Sequence, residues 1–97
     1  MLHVLVRLTV KDFAALAQFE QRAAQLMTNY GGQIVAAFET AHNDDGTGEE
    51  VHLLTFPDEA AFNAYRQEPA LGTLAALREQ AIAHTEVSVS VGVKQYG

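Results

Sequence analysis

Two segments at opposite ends of the chain place an apolar residue at every second position, and this pattern constrains the fold most strongly. The apolar sets are Leu2, Val4, Val6 and Leu8 at one end, and Val87, Val89, Val91 and Val93 at the other. A period of two predicts strands that each have one aliphatic face. We therefore expect the chain to begin and end in β-strands, the last over residues 85–93.

Helical periodicity follows the first strand. Asp12 is a suitable N-cap, apolar residues then recur at a spacing near 3.6 up to Tyr30, and the glycines at 31–32 end the pattern. A second helical pattern opens at Pro57 and Asp58. Pro69 interrupts it, because proline lacks the backbone N–H that a helix interior needs, and helical spacing resumes up to residue 82. The sequence predicts two helices, the second broken near Pro69.

A hairpin lies between the two helices. Residues 33–42 and 49–56 have strand character, and the intervening residues 43–48 are turn-forming asparagine, aspartate, glycine and threonine. The element order is then βαββαβ, which is the ferredoxin-like plan of the α+β class. It predicts one domain over residues 1–97, with a four-stranded antiparallel sheet and both helices on one face. The first strand should lie beside the third and fourth.

Sorting the strands into faces gives one aliphatic set that we expect under the helices: Leu2, Val4, Val6, Leu8, Ile34, Ala36, Phe38, Val51, Leu53, Val87, Val89 and Val91. The opposite face mixes apolar side chains with charged ones and histidines. So much apolar surface on a small domain predicts a cover. The simplest cover is the same face of a second copy, which predicts a homodimer.

Composition excludes several classes of function. Six Lys and Arg against twelve Asp and Glu give a net charge of −6, which argues against a nucleic-acid partner. The chain has no cysteine, so disulfides and thiolate metal sites are excluded. No apolar stretch approaches the ~20 residues that a membrane span needs, and the N-terminal pattern is not that of a signal peptide. We expect a cytoplasmic protein without a membrane partner, metal or cofactor.

The predicted hairpin suggests a candidate catalytic pair. If the loop is symmetric about Asp45 and Gly46, then Glu39 faces His52 and His42 faces Glu49. In this arrangement Glu39 would orient His52 as a general base, and Arg7 on a neighbouring strand would contact an anion. The alternative is a structural network that pairs these groups inside a subunit interface.

Further candidates lie on the helices. Tyr30, Tyr65 and Arg78 could bind a ligand in a pocket between the helices and the sheet, although tyrosines at helical spacing are also typical of a core. The acidic residues around His42 look like a cation site but lack the spacing of a calcium loop, so a solvated turn is the better interpretation. His3 and His84 have no neighbours at metal-ligand spacing.

Several motifs together resemble a bacterial family of unknown function in the dimeric α/β-barrel superfamily. These are Tyr30-Gly31-Gly32, the run from Phe56 to Ala61, Tyr65 followed by Pro69, and Leu77-Arg78 before the last strand. The resemblance covers nearly the whole chain. It implies a ferredoxin-like protomer whose sheet pairs with another to form a dimeric α/β barrel. It implies no activity, because the family has none assigned. The wider superfamily is similar in fold to cofactor-free monooxygenases that oxidise polyphenolic substrates, lactone isomerases, haem-degrading enzymes and amino-acid-sensing domains, and fold alone does not choose among these.

Two functions remain open at this point. The first is a homodimer that binds a small metabolite without catalysis. The alternative is a cofactor-independent enzyme, monooxygenase-like or isomerase-like, acting on a small aromatic or carboxylated substrate. A sealed and fully paired polar cluster would favour the first, whereas a cavity beside the polar residues would favour the second.

Overall fold

The computed structural model describes residues 1–97. Its elements are β1 (Leu2–Val10), α1 (Phe13–Thr28), β2 (Gln33–His42), β3 (Gly48–Phe56), α2 (Glu59–Arg66), α3 (Pro69–Gly72), α4 (Ala75–Ala81) and β4 (Ile82–Val89). The strands form one antiparallel sheet in the order β2-β3-β1-β4. The predicted ferredoxin-like plan is confirmed, including the position of the first strand between the third and fourth.

The helix ends follow the capping chemistry of the sequence. The Asp12 carboxylate accepts a hydrogen bond from the Ala15 backbone N–H at 3.1 Å, and the Asp58 carboxylate accepts one from the Ala61 N–H at 2.8 Å. Gly31 follows α1 with φ of +72°, a conformation that glycine adopts without strain. Pro69 stands at the start of α3, where a missing N–H costs nothing. The predicted break in the second helical region is therefore confirmed.

The helices cover one face of the sheet and bury its even-numbered β1 residues. Val4 and Leu8 are buried there as predicted, and Val10 is buried as well. Strand β3 lies one residue away from the prediction, because β1 pairs Val4 with Leu54 and Val6 with His52. His52 and Leu54 thus face the helices, and the prediction that Val51 and Leu53 do so is wrong.

The physical reason lies in the side chains available on each face of β3. Each face of β3 carries two apolar residues: Leu54 and Phe56 on one face, Val51 and Leu53 on the other. Alternation alone therefore does not predict which face the helices cover. The set that faces the helices includes Phe56, which is fully buried and packs its ring 5.2 Å from that of Phe62. The opposite set has only aliphatic residues at these positions. Burying the aromatic ring brings His52 inside with it.

Strand β2 is also displaced from the predicted pairing. Ala37 lies opposite His52, Glu39 opposite Glu50, and His42 opposite Gly48, so the predicted Glu39–His52 and His42–Glu49 pairs are wrong. One cause is the turn, in which the Asn43 N–H donates to the Thr47 carbonyl and His42 pairs with Gly48, so the hairpin is symmetric about Asp45 alone. The other is a register shift between Glu39 and Ala41, which moves Glu39 opposite Glu50; a second shift lies between Ile34 and Ala36. In this register Ala36 lies opposite Leu53 and Phe38 opposite Val51, away from the helices.

Strand β4 begins and ends earlier than the sequence predicts, at Ile82 and Val89 rather than at 85 and 93. The last backbone hydrogen bond of this segment joins the Ser90 N–H to the His3 carbonyl at 2.9 Å. Strand β1 begins at Leu2, so little of it remains to pair with later residues. Val91 keeps the alternating pattern yet is fully exposed.

Candidate functional site

A cavity of about 340 Å³ lies between the helix-covered face of the sheet and the helices. Its lining is largely apolar, with Val6, Leu8, Leu54, Ile82 and Val87 from the strands and Phe19, Ala23, Met27, Phe62 and Leu71 from the helical segments. Six residues with polar groups complete it: Glu20, His52, Tyr65, Arg66, Arg78 and Thr85. An apolar pocket with a few convergent polar groups is the usual form of a small-molecule site.

His52 is the most buried polar residue of this cavity. It lies on the central strand β3, and its side chain is only 4% exposed. Its Nε2 lies 2.8 Å from Oε1 of Glu50, and its Nδ1 lies 3.8 Å from Oε2 of Glu20. An ionised carboxylate only accepts hydrogen bonds, so Nε2–H donates to Glu50. In the neutral ring, Nδ1 then carries a lone pair on the side of Glu20 and the cavity.

Glu50 is placed to hold that tautomer. Residues two apart on a strand project from the same face, and Glu50 precedes His52 on β3 by two positions. The Glu50 carboxylate does not line the cavity, so it contacts the imidazole on the side away from the cavity. A carboxylate in this position fixes the orientation and the tautomer of the ring.

Glu20 approaches the other side of the ring from α1. Its side chain is 22% exposed, and burial raises the pKa of its carboxyl above the ordinary value. The His52 ring and the Arg78 guanidinium act in the opposite direction and lower this pKa, while the Glu50 charge raises it. Burial outweighs the favourable charges. Glu20 is therefore a carboxyl group that holds its proton more tightly than an exposed glutamate does.

This raised pKa predicts the pH dependence of a Glu20→Gln variant. The folded protein binds the Glu20 proton more tightly than the unfolded chain, whose glutamate has a pKa near 4.5. The stabilisation is complete below that value and is lost as the pH rises through the folded pKa. Glu20→Gln should therefore gain free energy of unfolding relative to wild type between about pH 4 and pH 7. Urea denaturation at pH 4 and at pH 7 measures this difference in the free energy of unfolding. A variant that becomes less stable relative to wild type between pH 4 and pH 7 would show that burial is not the largest influence on the Glu20 pKa.

Tyr65 contributes a hydroxyl that stays protonated at neutral pH. Burial, reinforced by the charge of Glu20, raises the pKa of Tyr65 to about 12. Its ring packs against Phe56 with 5.5 Å between centroids, and against Tyr30 in an edge-on contact at 6.2 Å. At this wall of the cavity Tyr65 is thus a hydrogen-bond donor rather than a base.

Two guanidinium groups line the cavity. Arg78 donates through Nη2 to Oγ1 of Thr85 at 2.7 Å, and the Arg66 guanidinium carbon lies 5.2 Å from the ring centroid of Phe62. Ion pairs form in this protein only through histidines, so neither arginine has a carboxylate within 4.0 Å. Both guanidiniums lie on exposed residues of α2 and α4.

The predicted site residues divide between this cavity and other parts of the molecule. His52, Tyr65 and Arg78 line it together. Tyr30 lies behind Tyr65, and its hydroxyl donates to Glu68 at 3.0 Å.

Glu39 and Arg7 lie elsewhere. The Glu39 carboxylate contacts Nδ1 of His42 at 2.6 Å on the exposed hairpin, and Arg7 stands opposite Glu86 on the face away from the helices. The proposed trio of Glu39, His52 and Arg7 is therefore not assembled.

Four residues of this site were not predicted from the sequence: Glu20, Glu50, Arg66 and Thr85. A signal for Glu20 exists, because it lies between Phe19 and Ala23 on the buried side of α1. A charged residue inside the apolar stripe of an amphipathic helix is uncommon and indicates a buried polar partner. The two carboxylates approach opposite nitrogens of His52, and no group of three His, Asp or Glu side chains is arranged to hold a metal ion.

The fold and the cavity define the class: a ferredoxin-like α/β protein with a pocket enclosed between its sheet and its helices. The chain belongs to the DUF1330 family, a domain of unknown function whose model matches residues 2–93. The resemblance to a family of unknown function is thereby confirmed. No curated protein matches the chain. None of the helices is long and apolar enough to cross a membrane.

Solved structures share the fold at low sequence identity. An uncharacterised NIPSNAP domain protein from Burkholderia xenovorans is 16% identical, with a TM-score of 0.68 over 96% of this chain and 95% of that chain. SnoaB, a cofactor-independent oxygenase from Streptomyces nogalater, is 17% identical, with a TM-score of 0.68 over 97% and 94%. A protein of unknown function from Rhodopseudomonas palustris, RPA0582, is 16% identical, with a TM-score of 0.76 over 97% and 83%. At these identities the likeness establishes the fold alone.

Proposed function

We propose that this protein is a cofactor-independent enzyme that removes a proton from a small, largely apolar molecule bound in the cavity, with His52 as the general base. One observation carries the proposal. A buried imidazole has its Nε2–H held by Glu50 and its Nδ1 directed to the side of Glu20, within a cavity large enough for a ligand. An oriented histidine beside a cavity is the arrangement that general base catalysis requires.

The neighbouring groups support this chemistry. When Nδ1 accepts a proton from an acidic C–H or O–H group, the imidazolium is stabilised by the Glu50 carboxylate 2.8 Å away. The negative charge left on the substrate can be met by the Tyr65 hydroxyl, which lines the same cavity. Proton transfer by a positioned side chain contributes ~10² to 10⁴ in rate.

The reaction class is consistent with one structure of the same fold, whose protein is described as a cofactor-independent oxygenase. Fold likeness does not carry activity from one protein to another, so the proposal rests on the His52 geometry. It covers the proton transfer step and the aromatic or carboxylated substrate class that suits an apolar cavity with cationic groups.

Binding without catalysis is the second candidate. It is favoured by the lining, since eleven of the sixteen residues around the cavity are hydrophobic. A binding protein needs the cavity and its shape but does not need an oriented base. The two candidates therefore differ in what His52 contributes.

Hydrogen exchange in deuterated water tests the proposal. The protein is incubated with aryl ketones, aryl keto acids and small unsaturated lactones, and deuterium uptake at the carbons next to their carbonyl or unsaturated groups is followed by NMR and mass spectrometry against the rate in buffer. We expect faster exchange for at least one of these classes. His52→Gln should reduce that acceleration by about 10² or more, the lower end of the range for acid–base catalysis.

The matched control is His84→Gln, because His84 is an exposed histidine on β4 that does not line the cavity. Its exchange rate should equal that of wild type. If ligands bind to wild type and to His52→Gln alike and no compound exchanges faster than in buffer, the enzyme proposal fails and binding without catalysis replaces it.

We also propose that the protein forms a homodimer through the sheet face that the helices leave open. This open face carries Leu5, Phe38, Val51 and Leu53, and Leu5 and Phe38 are 41% and 61% exposed in one protomer. Phe38, Val51 and Leu53 were predicted to lie under the helices, so the open face is apolar, as expected, but through other side chains. An apolar patch on a domain of this size favours association.

A further inference from the structure

We propose that the cavity selects molecules that carry one carboxylate on a compact apolar or aromatic body, and that the Arg78 guanidinium is the group that binds this carboxylate. This inference rests on the proposed function, in that it takes the cavity to be the substrate site. It narrows the aromatic or carboxylated class named there to molecules with one carboxylate, and it assigns that carboxylate to Arg78, with Thr85 positioning the guanidinium.

The charges around the cavity support an anionic ligand. The chain has twelve acidic residues and only six Lys and Arg, yet two of these six line one cavity. Glu20 is the only carboxylate that lines it, and Arg66 and Arg78 have no carboxylate within ion-pair distance. No Lys or Arg of the chain has a carboxylate within this distance, so the missing partner does not distinguish these two. What favours an anionic ligand is that two guanidiniums line a cavity that holds a single carboxylate.

The orientation of Arg78 supports a specific contact. One of its five donors is occupied by the Thr85 hydroxyl at 2.7 Å, which holds the guanidinium against β4. The remaining donors form a planar fork, the geometry that matches the two oxygens of a carboxylate. Arg66 is held differently, against the face of the Phe62 ring. Arg78 is therefore the better anchor, and Arg66 adds positive potential nearby.

One bound molecule can reach both the proposed base and Arg78, because His52 and Arg78 line the same cavity. Glu20 lines it as well and contacts the His52 ring at 3.8 Å. A carboxylate bound by Arg78 leaves the apolar lining, which includes Phe19, Leu54 and Val87, for the body of the ligand. Arg78 would recognise the carboxylate, and the apolar lining would recognise the body of the same molecule.

Titration with a matched pair of probes tests this inference. Phenylacetate carries the expected charge and ring, and phenylacetamide has nearly the same shape without the charge. Amide and side-chain NMR shifts of the full chain are followed for each probe. We expect phenylacetate to shift the signals of the cavity residues and to bind at least about tenfold more tightly than the amide, since hydrogen bonds to charged groups are the stronger ones.

Variants locate the anchor. Arg78→Gln should weaken phenylacetate binding by about tenfold or more and leave phenylacetamide unchanged, whereas Arg78→Lys should be intermediate because it keeps the charge and loses the fork. Thr85→Val should weaken phenylacetate by a smaller factor, because it releases the guanidinium. The matched control Arg22→Gln removes an exposed arginine of α1 that does not line the cavity, and should have no effect.

Each outcome bears on a different proposal. Equal binding of acid and amide, unchanged affinity in Arg78→Gln, or absence of shifts for both probes would overturn the inference. The enzyme proposal is decided separately by deuterium exchange. If phenylacetate binds through Arg78 while His52→Gln exchanges deuterium like wild type, the anionic site stands and the general base does not.

Discussion

A Glu50→Gln variant should lose most of the proton transfer activity while the protein keeps its fold. The glutamine amide is nearly the same size as the carboxylate, but its NH₂ group can donate to Nε2 of His52. The ring proton then moves to Nδ1, and the nitrogen on the cavity side no longer accepts a proton. We expect the deuterium exchange rate to fall by ~10² to 10⁴, the contribution of a positioned acid or base.

The tautomer itself is the decisive readout for this variant. ¹⁵N chemical shifts of His52 should indicate protonation at Nε2 in wild type and at Nδ1 in Glu50→Gln. Glu49→Gln is the matched control, since Glu49 is the preceding residue of β3 and lies on the opposite face of the sheet. A Glu50→Gln protein with an unchanged His52 tautomer and a normal exchange rate would remove Glu50 from its positioning role.

A Leu53→Glu substitution should convert the proposed dimer into monomers. Leu53 lies at the centre of the open face of the sheet, opposite Leu5 on β1 and Ala36 on β2. A partner sheet packed on this face would bury the new carboxylate without a counter-charge, which costs ~3 to 5 kcal/mol for an unpaired buried charge. Such a cost raises the dissociation constant by at least about 10². Sedimentation equilibrium should give twice the 10.5 kDa chain mass for wild type and a single chain mass for the variant.

Ala17→Glu is the control for the added charge. Ala17 is an exposed residue of α1, on the helical layer rather than on the open sheet face. It should remain as dimeric as wild type. A wild-type protein that sediments as a monomer at every concentration, or a Leu53→Glu variant that stays dimeric, would place the subunit contact elsewhere or abolish it.

The sequence was sufficient for the elements because their signals are local. Alternation in β1, the Asp12 and Asp58 caps and the turn at residues 43–48 depend on neighbouring residues alone, and each of them is observed in the fold. The C-terminal limit of β4 depends instead on where its partner β1 begins. Apolar and polar residues alternate up to Val93, but pairing with β1 ends at Val89. Residues beyond it have almost no β1 residues left to pair with.

The candidate site was predicted only in part, for a physical reason. A shift of one residue moves every side chain of a strand to the other face, and β3 has apolar residues on both. The sequence predicted His52 on the open face, with Glu39 and Arg7 as its partners there. Because His52 lies under the helices, its partners come from α1 and from its own strand. Tyr65 and Arg78 were predicted because each carries a polar tip at a helical position that can reach a pocket between the helices and the sheet.

A single layer of backbone, strand β3, separates the cavity from the open face of the sheet. His52 and Leu53 are consecutive residues, yet one side chain enters the interior cavity and the other emerges on the exterior sheet surface. One peptide unit joins the two Cα atoms, so a backbone displacement at Leu53 also moves the His52 Cα. A substitution selected for how copies of the chain associate would consequently also alter the position of the imidazole. We therefore expect that which substitutions are tolerated on one face of β3 depends on the residues present on its other face.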